Sequence, residues 1–223
     1  MLIMKSEIQN VFLEEDMYEE VMMMYNCAML EVKTKLEVLN NEFQIRSKRN
    51  PIEFIKCRIK SQMSIMEKLR RKGLDYTLES ILGNINDVAG IRVVCAFIDD
   101  IYAIAGMLEK QDDINVIDKD DYISNPKPNG YRSFHMDVEI PVFFSDKRQK
   151  MRVEVQIRTI AMDFWASLEH QIYYKKGIHA PESIVRELKE CAETIAVTDF
   201  RMQDIRKELA EYNHNHPPES GKF

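Results

Sequence analysis

The stretch MRVEVQIR at 151–158 sets Arg152, Glu154, Gln156 and Arg158 between Met151, Val153, Val155 and Ile157. Side chains of a strand point alternately to its two faces. The pattern therefore predicts one apolar face and one carrying a cation, a carboxylate, an amide and a cation in line. An antiparallel sheet with one solvated side shows the same alternation and needs no chemistry. The order is also suited to holding a metal ion and a polyanion. An Asn-Gly turn at 129–130 leads into the strand before it, and a polar turn joins the two.

Further candidates lie upstream. Between 56 and 72 stand Lys56, Arg58, Lys60, Lys68, Arg70, Arg71 and Lys72 against one acid, Glu67. The spacing predicts a helix from Pro51 to about Lys72, stopped by Gly73, with Ser64, Lys68 and Arg71 on one face and Lys60 a turn from Ser64. A hydroxyl and several cations so placed can grip a triphosphate through charge-assisted hydrogen bonds. A basic helix face is equally an ordinary solvated surface. Asp87, in NDVAG before a strand at Ile91–Phe97, could join Glu154 in holding Mg2+ against phosphates, because magnesium takes few protein carboxylates. A lone Asp beside a turn also serves as a cap. His135 follows the Asn-Gly turn on the Ser133, Asp137 and Glu139 side of its strand.

These residues need a scaffold. Residues 8–43 carry Val21, Met24, Ala28, Val32, Leu36, Leu39 and Phe43 at helical steps. A helix follows Asp99 and Asp100, an edge strand covers Asn115–Ile117, and Thr159–Tyr174 is helical. Pro181 to about Tyr212 carries a second stripe of Ile184, Leu188, Cys191, Ile195, Met202, Ile205 and Leu209. The expected fold is α+β: a central mixed sheet flanked by helices, with long helices at both ends. The expected organisation is an N-terminal helical extension (1–50), a core (51–176), a C-terminal helix (177–212) and a disordered tail (213–223).

Composition narrows the classes. With 223 residues, 30% charged and 45% hydrophobic, the chain is an ordinary globular protein, and no apolar run is long enough to cross a membrane. MLIMKSEIQ is no secretory signal, so a cytoplasmic location is expected. Cys27, Cys57, Cys95 and Cys191 are dispersed, and Cys27, Cys95 and Cys191 are expected in the core as reduced thiols. The net charge of −6 argues against a nucleic-acid coat. Neither a P-loop nor a Rossmann glycine motif occurs, nor does a His-Asp dipeptide.

RIK at 58–60, SIMEKLRRKG at 64–73, NDVAGIRVVC at 86–95, DYISNPKPNGYRSFH at 121–135, EVQIRTIAMDFWASLEH at 154–170 and YYKK at 173–176 resemble the alarmone synthetase domain of the RelA/SpoT homologues. The likeness covers roughly residues 51–176 and is nearest to the RelP subgroup of small alarmone synthetases. It implies a fold related to nucleotidyltransferases. The implied activity is transfer of pyrophosphate from ATP to the 3′-hydroxyl of GTP or GDP, giving (p)ppGpp and AMP, without hydrolase activity.

The resemblance further implies that Asp87 and Glu154 hold Mg2+ and that Glu154 orients or deprotonates the 3′-hydroxyl. Arg58 and Arg92 flank adenine, and Lys60, Ser64, Lys68 and Arg71 bind ATP phosphates. Tyr131 stacks on guanine, Lys127 and His135 sit near the acceptor phosphates, and Gln156 joins them. Asp163 is expected to read guanine N1 and N2. The motif Asp118-Lys119-Asp120-Asp121 is closer to the acidic variant of synthetase-only members than to the basic Arg-x-Lys-Asp form. A homotetramer is implied, with single-stranded RNA as a candidate regulator and neither DNA nor membrane as partner. A purely RNA-binding role, using 56–72 and Tyr131, would need neither Asp87 nor Glu154.

Overall fold

The computed structural model describes residues 15–173 and 181–216. Among them are the strands β1 (Ile52–Ile59), β2 (Ala89–Cys95), β3 (Asn115–Asp121), β4 (Phe134–Phe143) and β5 (Arg148–Thr159). The helices are α1 (Glu15–Ser47), α2 (Gln62–Lys72), α3 (Leu78–Asn84), α4 (Ile98–Glu109), α5 (Ile160–Tyr173) and α6 (Glu182–Asn215). The strands form one sheet in the order β1-β2-β5-β4-β3, with β2 and β5 parallel and every other pair antiparallel. The expected mixed sheet flanked by long helices is what forms.

Met151, Val153, Val155 and Ile157 of β5 are buried on the face packed by α1 and α4. Each such burial contributes roughly 1.5–3 kcal/mol. A one-residue slip of β5 would drive Glu154 into that core, so register is strongly specified. Val21, Met24, Ala28, Val32, Leu36 and Leu39 of α1 cover the sheet as their spacing predicts. On the opposite face the cross-strand partners line up in two rows. One runs Arg58, Gly90, Glu154, Asp137, Asp118, and the next runs Lys56, Arg92, Gln156, His135, Asp120.

The helix expected from Pro51 is a strand and a shorter helix. In β1, Ile55, Cys57 and Ile59 pack on the core while Lys56 and Arg58 face outward, an alternation that only a strand satisfies. The helix begins after Ser61, whose hydroxyl accepts from the Ser64 amide, and ends at Gly73 in the left-handed region at φ +66°.

The stripe expected on α6 is also corrected. Ile184, Met202, Ile205 and Leu209 are exposed, and the buried residues are Ala192, Ala196, Asp199 and Gln203. Small side chains let this helix approach α5 closely, which turns Cys191 outward instead of into the core. Cys95 is buried and Cys27 partly so. The helix also runs through Asn215, past the point where a disordered tail was expected.

Polar bonds fix the position of α6. Thr159 Oγ1 donates to Asp199 Oδ2 at 2.6 Å, and Gln203 Nε2 donates to Asp99 Oδ2 at 2.8 Å. Asp100, fully buried, accepts from both terminal nitrogens of Arg49 and lies 3.5 Å from Arg206 Nη1. Removing these cations would leave the buried Asp100 charge uncompensated; Arg206 ties α4 to α6, and Arg49 ties α4 to the link between α1 and β1.

Candidate active site

Asp87 lies in the short link between α3 and β2. The end of β1 is tied beside it, because Lys60 N donates to Val88 O at 2.8 Å. That places Lys60 Nζ 2.6 Å from Asp87 Oδ2, while α2 brings Lys68 Nζ to 2.8 Å from Oδ1. Each Asp87 oxygen is thus paired with one ammonium group. Burial pushes the Asp87 carboxyl up, and the two ammonium groups outweigh it, holding the group below the usual carboxylate range.

Glu154 stands in the same row as Gly90 at the centre of the sheet face. Its Oε2 accepts from Gln156 Nε2 at 2.7 Å, and His135 Nδ1 is 3.6 Å from Oε1. Burial raises its carboxyl and the nearby Asp87 charge does so too. His135 and Gln156 outweigh both, so Glu154 is also held low. Both acids are therefore anionic near neutrality and repel one another. Two mutually repelling carboxylates fit a divalent metal ion. Among the described residues no cluster of three or more acids, His or Cys could hold a metal, which suits an ion completed by substrate oxygens.

Beside this pair a cleft of about 310 Å3 is lined by Lys56, Arg58, Gly90, Arg92, Glu154 and Gln156. The structure thus gathers Arg58, Arg92, Glu154 and Gln156 around one space. Ser64 Oγ instead lies 2.9 Å from Ser61 Oγ at the start of α2, and Arg71 is exposed with no ion pair among the described residues.

The third group sits on the loop 122–133. The Lys127 ammonium is 4.3 Å from the Tyr122 ring centre and 5.0 Å from that of Tyr131. Tyr131 Oη is 2.8 Å from His135 Nε2 and accepts from Arg158 Nη2 at 2.6 Å. A hydroxyl that accepts from Arg158 has its own hydrogen to give to Nε2, which assigns the imidazole hydrogen to Nδ1, facing Glu154. Asp120, from the acidic motif, accepts from Tyr122 Oη at 2.9 Å, and the Tyr122 ring stands edge-on to His135 at 5.1 Å. The acidic motif thus positions the aromatic group.

Arg158 was noted only as the end of the polar row, yet it is the hub. It is 3% exposed and donates to Gln156 Oε1 at 2.7 Å, Asp163 Oδ1 at 3.3 Å and Ser133 Oγ at 3.3 Å as well as to Tyr131. Asp163, expected to read guanine, is buried in the first turn of α5, where its Oδ1 also meets Arg92 Nη1 at 3.1 Å. It links the cleft to the Tyr131 network. The motif residues 174–176 lie outside the described residues.

A family model described as a region found in RelA / SpoT proteins matches residues 57–179, more than half of the 223 residues. GTP pyrophosphokinase YwaC of Bacillus subtilis is 43% identical over 192 residues, spanning 86% of this chain and 91% of that protein. The small alarmone synthetase 2 structure from the same organism is 42% identical with a TM-score of 0.78, covering 86% of this chain and 98% of that one. Small alarmone synthetase 1 of B. subtilis bound to its product pppGpp is 36% identical with a TM-score of 0.79, covering 87% and 99%. An anionic pair beside a basic cleft, on this sheet and with these relatives, is consistent throughout: the chain belongs to the RelA/SpoT family and matches its small alarmone synthetases over nearly their whole length.

Proposed function

We propose that this protein is a GTP/GDP pyrophosphokinase that moves the β,γ-pyrophosphate of ATP to the 3′-hydroxyl of GTP or GDP. The observation that carries this reading is the meeting of two depressed, partly buried carboxylates, Asp87 and Glu154, with Lys60, Lys68 and the Arg58–Arg92 cleft. Relatives named GTP pyrophosphokinase and a relative bound to pppGpp support it.

In the reaction the 3′-oxygen bonds to the β-phosphorus, and the bond from that phosphorus to the α,β-bridging oxygen breaks. AMP leaves with the bridging oxygen, and the hydroxyl proton passes through Glu154 to solvent. The protein has little covalent work here, so positioning and charge neutralisation dominate. Lys60, Lys68, Ser64 and Arg71 take the donor phosphates, and Arg58 and Arg92 flank the adenine. Tyr131 offers a flat surface for guanine. Lys127, His135, Gln156 and Asp163 complete the acceptor side. Mg2+, which Asp87 and Glu154 would hold, would neutralise the triphosphate, and Lys60 and Lys68 would then release Asp87. Arg158 keeps the donor and acceptor sides in one geometry.

We assign the chain to the RelP subgroup on its NPKPNGYRS and IRTIAMDFWASLEH segments. The dispersed, unpaired cysteines suit a reducing cytoplasm. The outward apolar residues of α6 support self-association, and the family resemblance implies a tetramer, checked by light scattering. Exposed Phe54 under Lys56 Nζ at 4.8 Å supports single-stranded RNA as a regulator, with salt-dependent binding.

The deciding experiment mixes purified protein with ATP, Mg2+ and GTP or GDP and resolves nucleotides by anion exchange. AMP and a guanosine penta- or tetraphosphate should appear together. Glu154→Gln should slow both by about 10²–10⁴-fold while ATP still binds. Full activity in that variant would remove Glu154 from the chemistry.

A further inference from the structure

We infer that α6 positions the acceptor loop, with Gly130, Ala192 and Trp165 acting as positioning residues for Tyr131 and Lys127. The inference rests on the reading that those two residues bind the acceptor nucleotide. Among the described residues α6 lines none of the 310 Å3 cleft, so this role is indirect.

The loop closes on itself between 127 and 131. Gly130 N donates to Lys127 O at 2.8 Å, Lys127 N to Tyr131 O at 3.2 Å, and Tyr131 N to Asn129 Oδ1 at 3.2 Å. A shift at residue 130 must therefore move Lys127 and Tyr131 with it. Gly130 is buried at φ +90°, a conformation that side-chain-bearing residues rarely adopt. A Cβ there would stand 2.6 Å from Ala192 Cβ and 3.7 Å from the Lys189 carbonyl oxygen. The backbone of the turn thus lies directly on α6, and a Cβ at residue 130 overlaps that of Ala192.

A second contact fixes the helix itself. Trp165 of α5, 5% exposed, donates from Nε1 to Leu188 O at 2.9 Å, one turn before Ala192. That bond sets the rotation of α6 about its axis. Tyr131 and Ile195 pack on the Trp165, Ala166 and Ala192 cluster. The space left among Gly130, Arg132, Trp165 and Ala192 is about 10 Å3, at the lower limit for one water molecule. Loop and helix consequently move as one body, and the place of α6 sets the place of the guanine platform.

Trp165 is the one tryptophan of the chain, so the intact protein reports on this contact. GDP added without ATP should change Trp165 emission saturably, and ADP should not. Gly130→Ala should raise KM for GDP by about tenfold or more, leaving KM for ATP within about twofold. The double variant Gly130→Ala with Ala192→Gly keeps the backbone strain but removes the Cβ overlap, and should recover much of that loss.

Silence of Trp165 on GDP addition to the wild type would overturn the inference, and this holds even if Gly130→Ala fails to fold. A double variant no better than the single one, or equal rises in both KM values, would overturn it too. Tyr131→Ala and Lys127→Ala separate the two readings. If both leave KM for GDP unchanged, the nucleotide role of the loop fails. The mechanical contact would still show as altered Trp165 emission in nucleotide-free Gly130→Ala.

Discussion

At the β1 end of the sheet face, Asp87 is held by two lysines on flexible stems from separate elements. At the β4 end, Tyr131 and Gln156 are held by one guanidinium only 3% exposed. Lysine ammonium groups rotate and exchange partners easily, whereas a planar arginine fork has its donors fixed. The β1 end is therefore charged in advance but rearrangeable; as the proposed donor end, its lysines would give Asp87 up to a metal and take phosphate oxygens instead. The proposed acceptor end is rigid within itself, so a nucleotide that docks there displaces loop and helix together.

The largest break in that contrast should come from Arg158→Lys. It removes the fork that joins Tyr131, Gln156 and Asp163 and leaves buried acceptors short of donors. A loss of about 2–3 kcal/mol in urea unfolding is expected, with a rise in acceptor KM exceeding that for ATP. Equal stability would show that the network is not the rigid half.

Asp163→Ala should come next, lowering the preference for guanine over other acceptors in competition assays. An equal rise in KM for ATP and GTP would instead mean that Asp163 acts only through Arg92 and Arg158, which share its Oδ1.

Lys68→Met tests the rearrangeable half. Asp87 is depressed in the folded protein, so its contribution to stability is complete above the unfolded carboxylate value, about 3.9, and is lost as pH falls through the lower folded value. With one ammonium gone, Asp87 should titrate higher, moving the acid limb of the kcat/KM profile to higher pH. An unmoved limb would show that Lys60 alone sets the charge.

The smallest effect belongs to Cys191→Ser. This exposed thiol on α6 should change unfolding free energy by less than about 0.5 kcal/mol, and in the wild type it should react with thiol reagents before Cys95, whose thiol burial pushes far up.

Much of the arrangement was legible in residue order, for identifiable reasons. The strict alternation of β5 marked both its core face and its polar face, because a strand has only two sides. The α1 stripe was legible because a wide apolar surface was there to meet it. The start of β1 was misread because Lys60, Ser64, Lys68 and Arg71 fit a helical spacing that begins in one element and ends in another. On α6 the larger apolar residues drew attention from Ala192 and Ala196, where small size decides the contact. Arg158 was visible in its row but not as a hub, since its partners come from its own strand, α5 and the loop 122–133, through pairings that hydropathy does not encode.

The two cross-strand rows pass from Lys56 and Arg58 at one edge of the sheet to Asp118 and Asp120 at the other. A polyphosphate bound as proposed would meet a potential that changes sign over the width of five strands, so strand order would orient it before any contact forms. Among the described residues β1 and β3 pair on one side only, and charged residues on such edge strands disfavour pairing with another strand. Substrate polarity and resistance to edge-to-edge aggregation are then one property of the sheet.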